Sequence, residues 1–207
     1  GSEMCIRDSI KNTVIFAGGS TILAVLFDSL TGYAFARLNF KGKDILFMLV
    51  LLTMMVPFQV MMIPLFLESN LLGLLDTYGG LILPKATSAF GIFMMRSYFA
   101  ALPKDLEEAA RVDGMSEFGI FAKIMFPLVI PGVLTLAIFH LMQNWNDLLY
   151  PLMMTSSTRM RTLSAGLALF VGEHATTYYG PQLAGALLSV LPLLVICLLY
   201  TSPSPRD

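Results

Sequence analysis

The feature that most constrains this chain is a series of long apolar runs. A helix rises 1.5 Å per residue, so about 20 mostly apolar residues cross the hydrocarbon core of a bilayer. Five stretches reach that length: 14–36, 45–67, 79–101, 120–145 and 183–200. With 56% of its 207 residues hydrophobic and only 13% charged, the chain is too apolar for an ordinary soluble domain. A mean hydropathy of +0.74 agrees. The expected fold is an all-α, polytopic transmembrane helical bundle with about five spans. Pro57, Pro64, Pro84, Pro127, Pro131 and Pro192 interrupt the runs. In a membrane, neighbouring helices re-satisfy the carbonyls that proline frees, so kinks are expected there.

Lysine and arginine set the orientation. Connection 37–43 holds Arg37, Lys41 and Lys43, connection 102–123 holds Lys104, Arg111 and Lys123, and connection 68–78 holds none. The first and third connections are therefore expected in the cytoplasm. The fourth, 146–182, carries Arg159 and Arg161, and alternation places it outside. The first run then passes from outside to inside, which predicts a further helix upstream in the complete protein. Residues 1–9 and 198–207 read as non-native tails around a membrane domain at 10–197, since GSEMCIRDS and YTSPSPRD are foreign in character to the rest.

A net charge of −1 gives no basic patch for nucleic acid. Cys5 and Cys197 lie at opposite ends, in no disulfide or metal spacing, and no metal site is expected. None of the lysines is followed by Ser or Thr, so no phosphate-binding Walker loop exists to hydrolyse ATP. With no HExxH or GxSxG either, no catalytic residue is expected. His140 reads as a satisfied interior residue and His174 as an exposed one. The methionines, among them Met54, Met55, Met61, Met62, Met94 and Met95, read as lipid-facing or packing residues.

The connection at 102–123 is charged and helix-prone in an otherwise oily chain, which marks it as a surface for a partner. Pro103 suits the first helical position, Asp105 and Glu107 fall in the first turn, and Gly114 supplies a stop, so 104–113 is expected to be a short capped helix. Ser116 is placed to cap a second. Leu106, Ala109, Ala110 and Asp113 follow i, i+3, i+4, i+7 spacing, and the two alanines would let another protein approach closely.

The run Glu108-Ala109-Ala110, three residues, Gly114, nine residues, then Ile124-Met125-Phe126-Pro127 resembles the EAA loop of ABC importer permeases, with Phe126 where the pattern has Leu. SLTGYAFARLNFKGK at 29–43, MVPFQVMMIPLF at 55–66, FGIFMMRSYFAALPKDLEEAARVDG at 90–114 and WNDLLYPL at 145–152 resemble the carbohydrate, maltose-type branch. The likeness covers about 13–196. It implies a type I importer fold in a bacterial-type inner membrane, with sugar as cargo and no covalent change to it. It also implies a second permease subunit, two cytoplasmic ATPase subunits that bind the ATP and magnesium, an extracytoplasmic solute-binding protein and surrounding lipid as partners. No cofactor is then expected on this chain. The coupling residues implied are Glu107, Glu108, Ala109, Ala110, Asp113, Gly114, Ile124 and Pro127. Two other functions stay open on sequence alone: a permease for phosphate, amino acids or peptides, and a channel or scaffold that works without an ATPase.

Charges within spans are functional candidates because hydrocarbon makes them costly. Counted from the outer ends, Asp28 lies about 20 Å and Arg96 about 25 Å down their runs, so they are expected either to pair or each to meet water. Lys85 is shallower and would snorkel outward or face a polar pathway. Asn144, Trp145 and Asn146 sit at an outer end, where they read either as a sugar-stacking part of the translocation pathway or as an interfacial anchor.

Overall fold

The structure is a computed structural model that describes residues 2–173 and, beyond them, Leu183, Leu187, Ser189, Val190, Pro192 and Leu194. Most of the expected fifth span, His174, Cys197 and the 198–207 tail lie outside the described residues. Among the described residues every regular element is helical. Helix α1 (Ser2–Arg37) contains no proline and runs 36 residues, about 54 Å, without a break. Its Arg7–Arg37 portion is the one helix among the described residues that is long and apolar enough to cross a membrane alone.

Elsewhere proline divides the runs. Helices α2 (Lys43–Thr53) and α3 (Phe58–Leu71) meet the span criterion only as a pair, bent by 100°. Pro57 lies in the break, where it has no N–H to continue the ladder and disfavours helical backbone at Val56. The 79–101 run, expected as one helix, is three pieces: α4 (Tyr78–Ile82), a 3₁₀ turn at Leu83–Lys85, and α5 (Ala89–Ala100). Pro84 ends the first piece, and the Ser88 side chain starts the last by accepting from the Gly91 N–H.

The charged connection forms α6 (Asp105–Val112) and α7 (Glu117–Ile120). Helix α7 passes through a π-helical turn at Phe121–Met125 into α8 (Phe126–Leu128). In that turn the Phe126 N–H reaches back five residues to the Phe121 carbonyl. Pro127, with no N–H for the Lys123 carbonyl, accounts for the wide turn before it. Helix α9 (Ile130–Asn146) follows at a 79° bend, then α10 (Leu149–Met154) and α11 (Leu163–Glu173).

The chain divides into two compact units, each assembled from separate stretches. One comprises Ser20–Ile63 and Leu83–His140. Its core packs Tyr33, Met95, Phe99, Ala110, Ile120, Phe121, Met125, Val129 and Leu136. Tyr33, Phe99 and Phe121 form an aromatic triad with centroids 5.2–6.0 Å apart. Helix α2 buries none of its residues, leaving Ile45, Met48, Leu49 and Leu52 exposed. Such a surface suits hydrocarbon as solvent and would be costly in water.

The other unit comprises Gly1–Gly19, Pro64–Ile82 and the described part of Leu141–Asp207. Phe16 stacks on Tyr150 at 6.0 Å, and the Tyr150 hydroxyl donates to the Gly80 carbonyl. Asn12 ties α1 to the connection after α10: its Nδ2 donates to the Arg159 and Arg161 carbonyls at 2.7 and 3.0 Å, while its Oδ1 accepts from Tyr78 at 2.7 Å. Asp76 holds the connection before α4, accepting from the Ser156 and Ser157 N–H groups at 3.2 and 3.1 Å.

Candidate functional site

Helix α6 starts at Asp105, two residues after Pro103, and carries Asp105, Glu107 and Glu108 in its positive first turn and Arg111 in its negative last turn. Its end is a Schellman motif. The Gly114 N–H bonds the Arg111 carbonyl and the Met115 N–H bonds the Ala110 carbonyl, both at 3.0 Å. That closure requires Gly114 at φ +77°, a left-handed backbone that only glycine adopts without steric penalty. Ser116 then caps α7, accepting from the Gly119 N–H at 3.2 Å. Two short helices joined by a glycine turn result.

The expected apolar face of α6 is corrected in one respect. Ala109 is exposed beside Leu106, Glu108 and Val112, whereas Ala110 is buried at 4% exposure in the core with Phe99 and Ile120. At 100° per residue, 110 turns toward 107, and both point inward. Val112 at 88% and Phe118 at 71% exposure extend the outer surface, and Asp113 is exposed at the C-cap. Ile124 packs partly buried against the core, and Pro127 is exposed.

Glu107 is also placed differently from expectation. It is buried at 3% exposure and faces Arg37 (Nε to Oε1, 3.3 Å) and Arg111 (Nη2 to Oε2, 3.6 Å) within the protein. The Arg37 fork also donates to the last carbonyls of α5 and the turn after it: to Phe99 at 2.9 Å from Nε and 2.5 Å from Nη2, and to Leu102. Arg111 makes a two-pronged contact to Glu117 at 2.6 and 3.2 Å, and Tyr33 donates to the same carboxylate at 3.4 Å. Glu107 therefore faces inward, leaving Glu108 as the exposed carboxylate of the pair.

Asp28 and Arg96 do not pair. Asp28 is fully buried, and its carboxylate accepts from the Thr87 hydroxyl at 2.6 Å, the Ser88 N–H at 3.0 Å and the Ser88 hydroxyl at 3.2 Å. His140 Nε2 lies 3.3 Å from Asp28 Oδ2 and 3.2 Å from Ser88 Oγ, which makes His140 a bonded interior residue. The depth estimate failed because α5 begins at Ala89, so Asp28 meets its N-terminal end and Arg96 lies about 12 Å further along. The Arg96 guanidinium instead stacks 4.2 Å from the Phe47 ring centroid, and its Nε has no hydrogen-bond partner among the described residues. Ser88, as a capping residue four positions after Pro84, was the sequence signal that would have located this cluster. Lys85 Nζ lies 4.9 Å from the Phe58 ring centroid.

Of the Asn144, Trp145 and Asn146 group, Asn144 and Trp145 are buried and Asn146 is exposed. Trp145 is only 9% exposed, its Nε1 donates to the Ser189 carbonyl at 3.0 Å, and its own carbonyl accepts from Ser164 at 3.4 Å. Asn146 donates to the Met142 carbonyl of its own helix at 2.9 Å. Asn144 is buried, with no hydrogen-bond partner for Nδ2 among the described residues. Among the described residues no cluster of three or more metal-ligating side chains occurs.

Residues 28–206 match the family described as binding-protein-dependent transport system inner membrane component. The chain is 39% identical over 189 residues to the arabinooligosaccharides transport system permease protein AraQ of Bacillus subtilis, covering 91% of this chain and 67% of that one. It is 37% identical to the lactose transport system permease protein LacG of Rhizobium radiobacter, with 89% and 67% covered. Against the trehalose/maltose transport system permease protein MalG of Thermococcus litoralis the identity is 34%, with 92% and 69% covered. The chain thus spans about two thirds of the length of these relatives. The fold is similar to a chain in the crystal structure of a bacterial ABC transporter involved in the import of the acidic polysaccharide alginate. That likeness has a TM-score of 0.77 at 26% identity and covers 93% of this chain and 70% of that one.

Proposed function

This chain belongs to the family of binding-protein-dependent transport system inner membrane components, and on that premise we propose that it is a multi-pass permease subunit of an ATP-driven sugar importer. The observation that carries the coupling role is the outer surface of α6 and its glycine-closed end. Leu106, Glu108, Ala109 and Val112 stand exposed on a short helix whose inner face is fixed in the core, with Phe118 on the following helix. Such a surface fits a cleft in a cytoplasmic partner: Ala109 permits close approach, the apolar side chains bury area, and Glu108 offers a carboxylate to a basic group.

In this reading the partner is an ATPase subunit that binds and hydrolyses ATP with magnesium. Its closure shifts α6 and so moves the membrane helices between inward-facing and outward-facing states. A second permease subunit, a second ATPase subunit and an extracytoplasmic solute-binding protein complete the assembly. Sugar as the cargo is supported by the carbohydrate transport systems in which the named relatives work. The test is site-specific crosslinking from Ala109→Cys, in the completed gene product, to cysteines in the cleft of the co-expressed ATPase. A crosslink whose yield changes with ATP is expected. Its absence in a folded, assembled complex refutes the coupling role.

A further inference from the structure

The polar contacts around α6 form a closed circuit. Tyr33 and Arg37 lie four residues apart on one face of α1. Arg37 faces Glu107 of α6, Glu107 faces Arg111 one turn later, Arg111 grips Glu117 of α7, and Glu117 returns to Tyr33. At its inner end the circuit is buried: Arg37 and Glu107 side chains are 3% and 4% exposed. The Arg37 fork adds the Phe99 and Leu102 carbonyls, which lie at the negative end of α5. Four elements, α1, α5, α6 and α7, therefore converge on one arginine and the carboxylates around it.

Apolar packing alone would not fix the angle of an eight-residue helix, because dispersion is non-directional and individually weak. A planar guanidinium that donates to two carbonyls is directional, and it fixes where the Arg37 charge faces the Glu107 carboxylate. Glu107 shows how far the arrangement depends on that arginine. Its Oε1 makes no well-aligned hydrogen bond, since the Arg37 donors point to carbonyls, so charge proximity alone compensates it. A buried carboxylate in that position ties α6 to Arg37, because swinging away separates two buried opposite charges and leaves Arg37 with carbonyls alone.

We propose that this circuit makes α6 and α7 one rigid lever with the end of α1 and with α5, and that Arg37, Glu107 and Glu117 are positioning residues for coupling. The proposal rests on the coupling reading above and specifies where motion is excluded: between the coupling helices and the membrane helices of their own unit. A displacement imposed on α6 then passes undiminished into α1 and α5.

The experiment places spin labels at Lys104→Cys on the loop and Leu26→Cys on α1, both exposed and in the same compact unit, in the complete transporter with its ATPase. The distance distribution is read by double electron–electron resonance with and without ATP. One narrow distance, the same in both states, is expected for the otherwise unsubstituted complex. In Glu107→Gln, and in the half-exposed Glu117→Gln should the first fail to assemble, the distribution should broaden at least twofold. A distance that changes with ATP in the unsubstituted complex overturns the rigid lever. A distribution as narrow in the variant that assembles as in its parent overturns the role of the circuit. The Ala109→Cys crosslink in the same preparations reports docking separately: its loss in the parent refutes the coupling reading, whereas its retention with a broadened variant supports the lever.

Discussion

At Gly32 the α1 backbone lies close against the backbone of α5, and Gly32→Ala tests whether that proximity holds them. A Cβ there would lie 2.7 Å from Met95 Cβ, 2.8 Å from the Arg96 backbone nitrogen and 3.0 Å from the Met95 carbonyl carbon. Carbon atoms rest at about 3.5–4.0 Å, so the helices must separate by roughly 1 Å. None of the three atoms belongs to a side-chain end that could swing aside, which puts the overpacking cost near the upper part of its range, about 3 kcal/mol. Helix propensity returns at most about 1 kcal/mol for Gly to Ala, for a net loss of about 2 kcal/mol. Gly18 on the same helix is the control, since a Cβ there meets nothing within 4 Å. Gly18→Ala should be neutral or gain up to about 1 kcal/mol. Unfolding in mixed detergent micelles followed by circular dichroism measures both. A Gly32→Ala protein as stable as its parent, or a Gly18→Ala protein that loses as much, would refute the close-approach argument.

Gly91→Ala should be more severe, because its Cβ would fall 1.9 Å from Asp28 Oδ2 and displace a buried carboxylate from its donors. A loss of about 3 kcal/mol or more is expected in the same unfolding assay, and a loss below about 1 kcal/mol would show that the cluster around Asp28 yields easily. Gly114→Val meets open space, so its cost is the left-handed backbone alone, about 1–2 kcal/mol. Titrating the ATPase onto the purified variant should show roughly tenfold weaker docking, and unchanged docking would remove the turn from the coupling argument. Asp76 concerns acid pH. Burial opposes its charge, but the hydrogen bonds from Ser157 and Ser156 together outweigh it and hold the carboxyl below its ordinary 3.8. Its contribution to stability is therefore present above about pH 3.8 and lost as pH falls through the lower folded value. Carbon-13 titration of Asp76 should show a midpoint below 3.8 that rises in Ser157→Ala, and a midpoint at or above 3.8 would contradict the assignment.

Local chemistry was legible in the sequence because it depends on neighbours along the chain. Apolar runs announced helices, Pro57, Pro84 and Pro127 announced breaks and bends, and Gly114 and Ser116 announced a helix stop and a helix start, each three residues from the group it bonds. The α6 helix was legible for the same reason, through its acids, its length and its stop. The family followed from spacing within one loop and four neighbouring stretches, all of it linear information.

Which groups meet across the chain was decided by tertiary structure. Counting residues down two runs put Asp28 beside Arg96. The break at Pro84 and the cap at Ser88 instead set where α5 starts, and that shift of about 12 Å sent Asp28 to His140 and Arg96 to Phe47. Ala109 and Ala110 are equivalent in sequence, yet 100° of rotation exposes one and buries the other in the core that also holds Phe99. Glu107 and Glu108 divide in the same way, one toward Arg37, which lies 70 positions away, and one toward solvent. Trp145 turned inward because a carbonyl distant in sequence accepts its N–H. Periodicity gives the chemical character of a helix face, but the rotation and axial start of each helix are set by packing against elements remote in sequence. A shift of one residue or one turn in either changes which charges are neighbours.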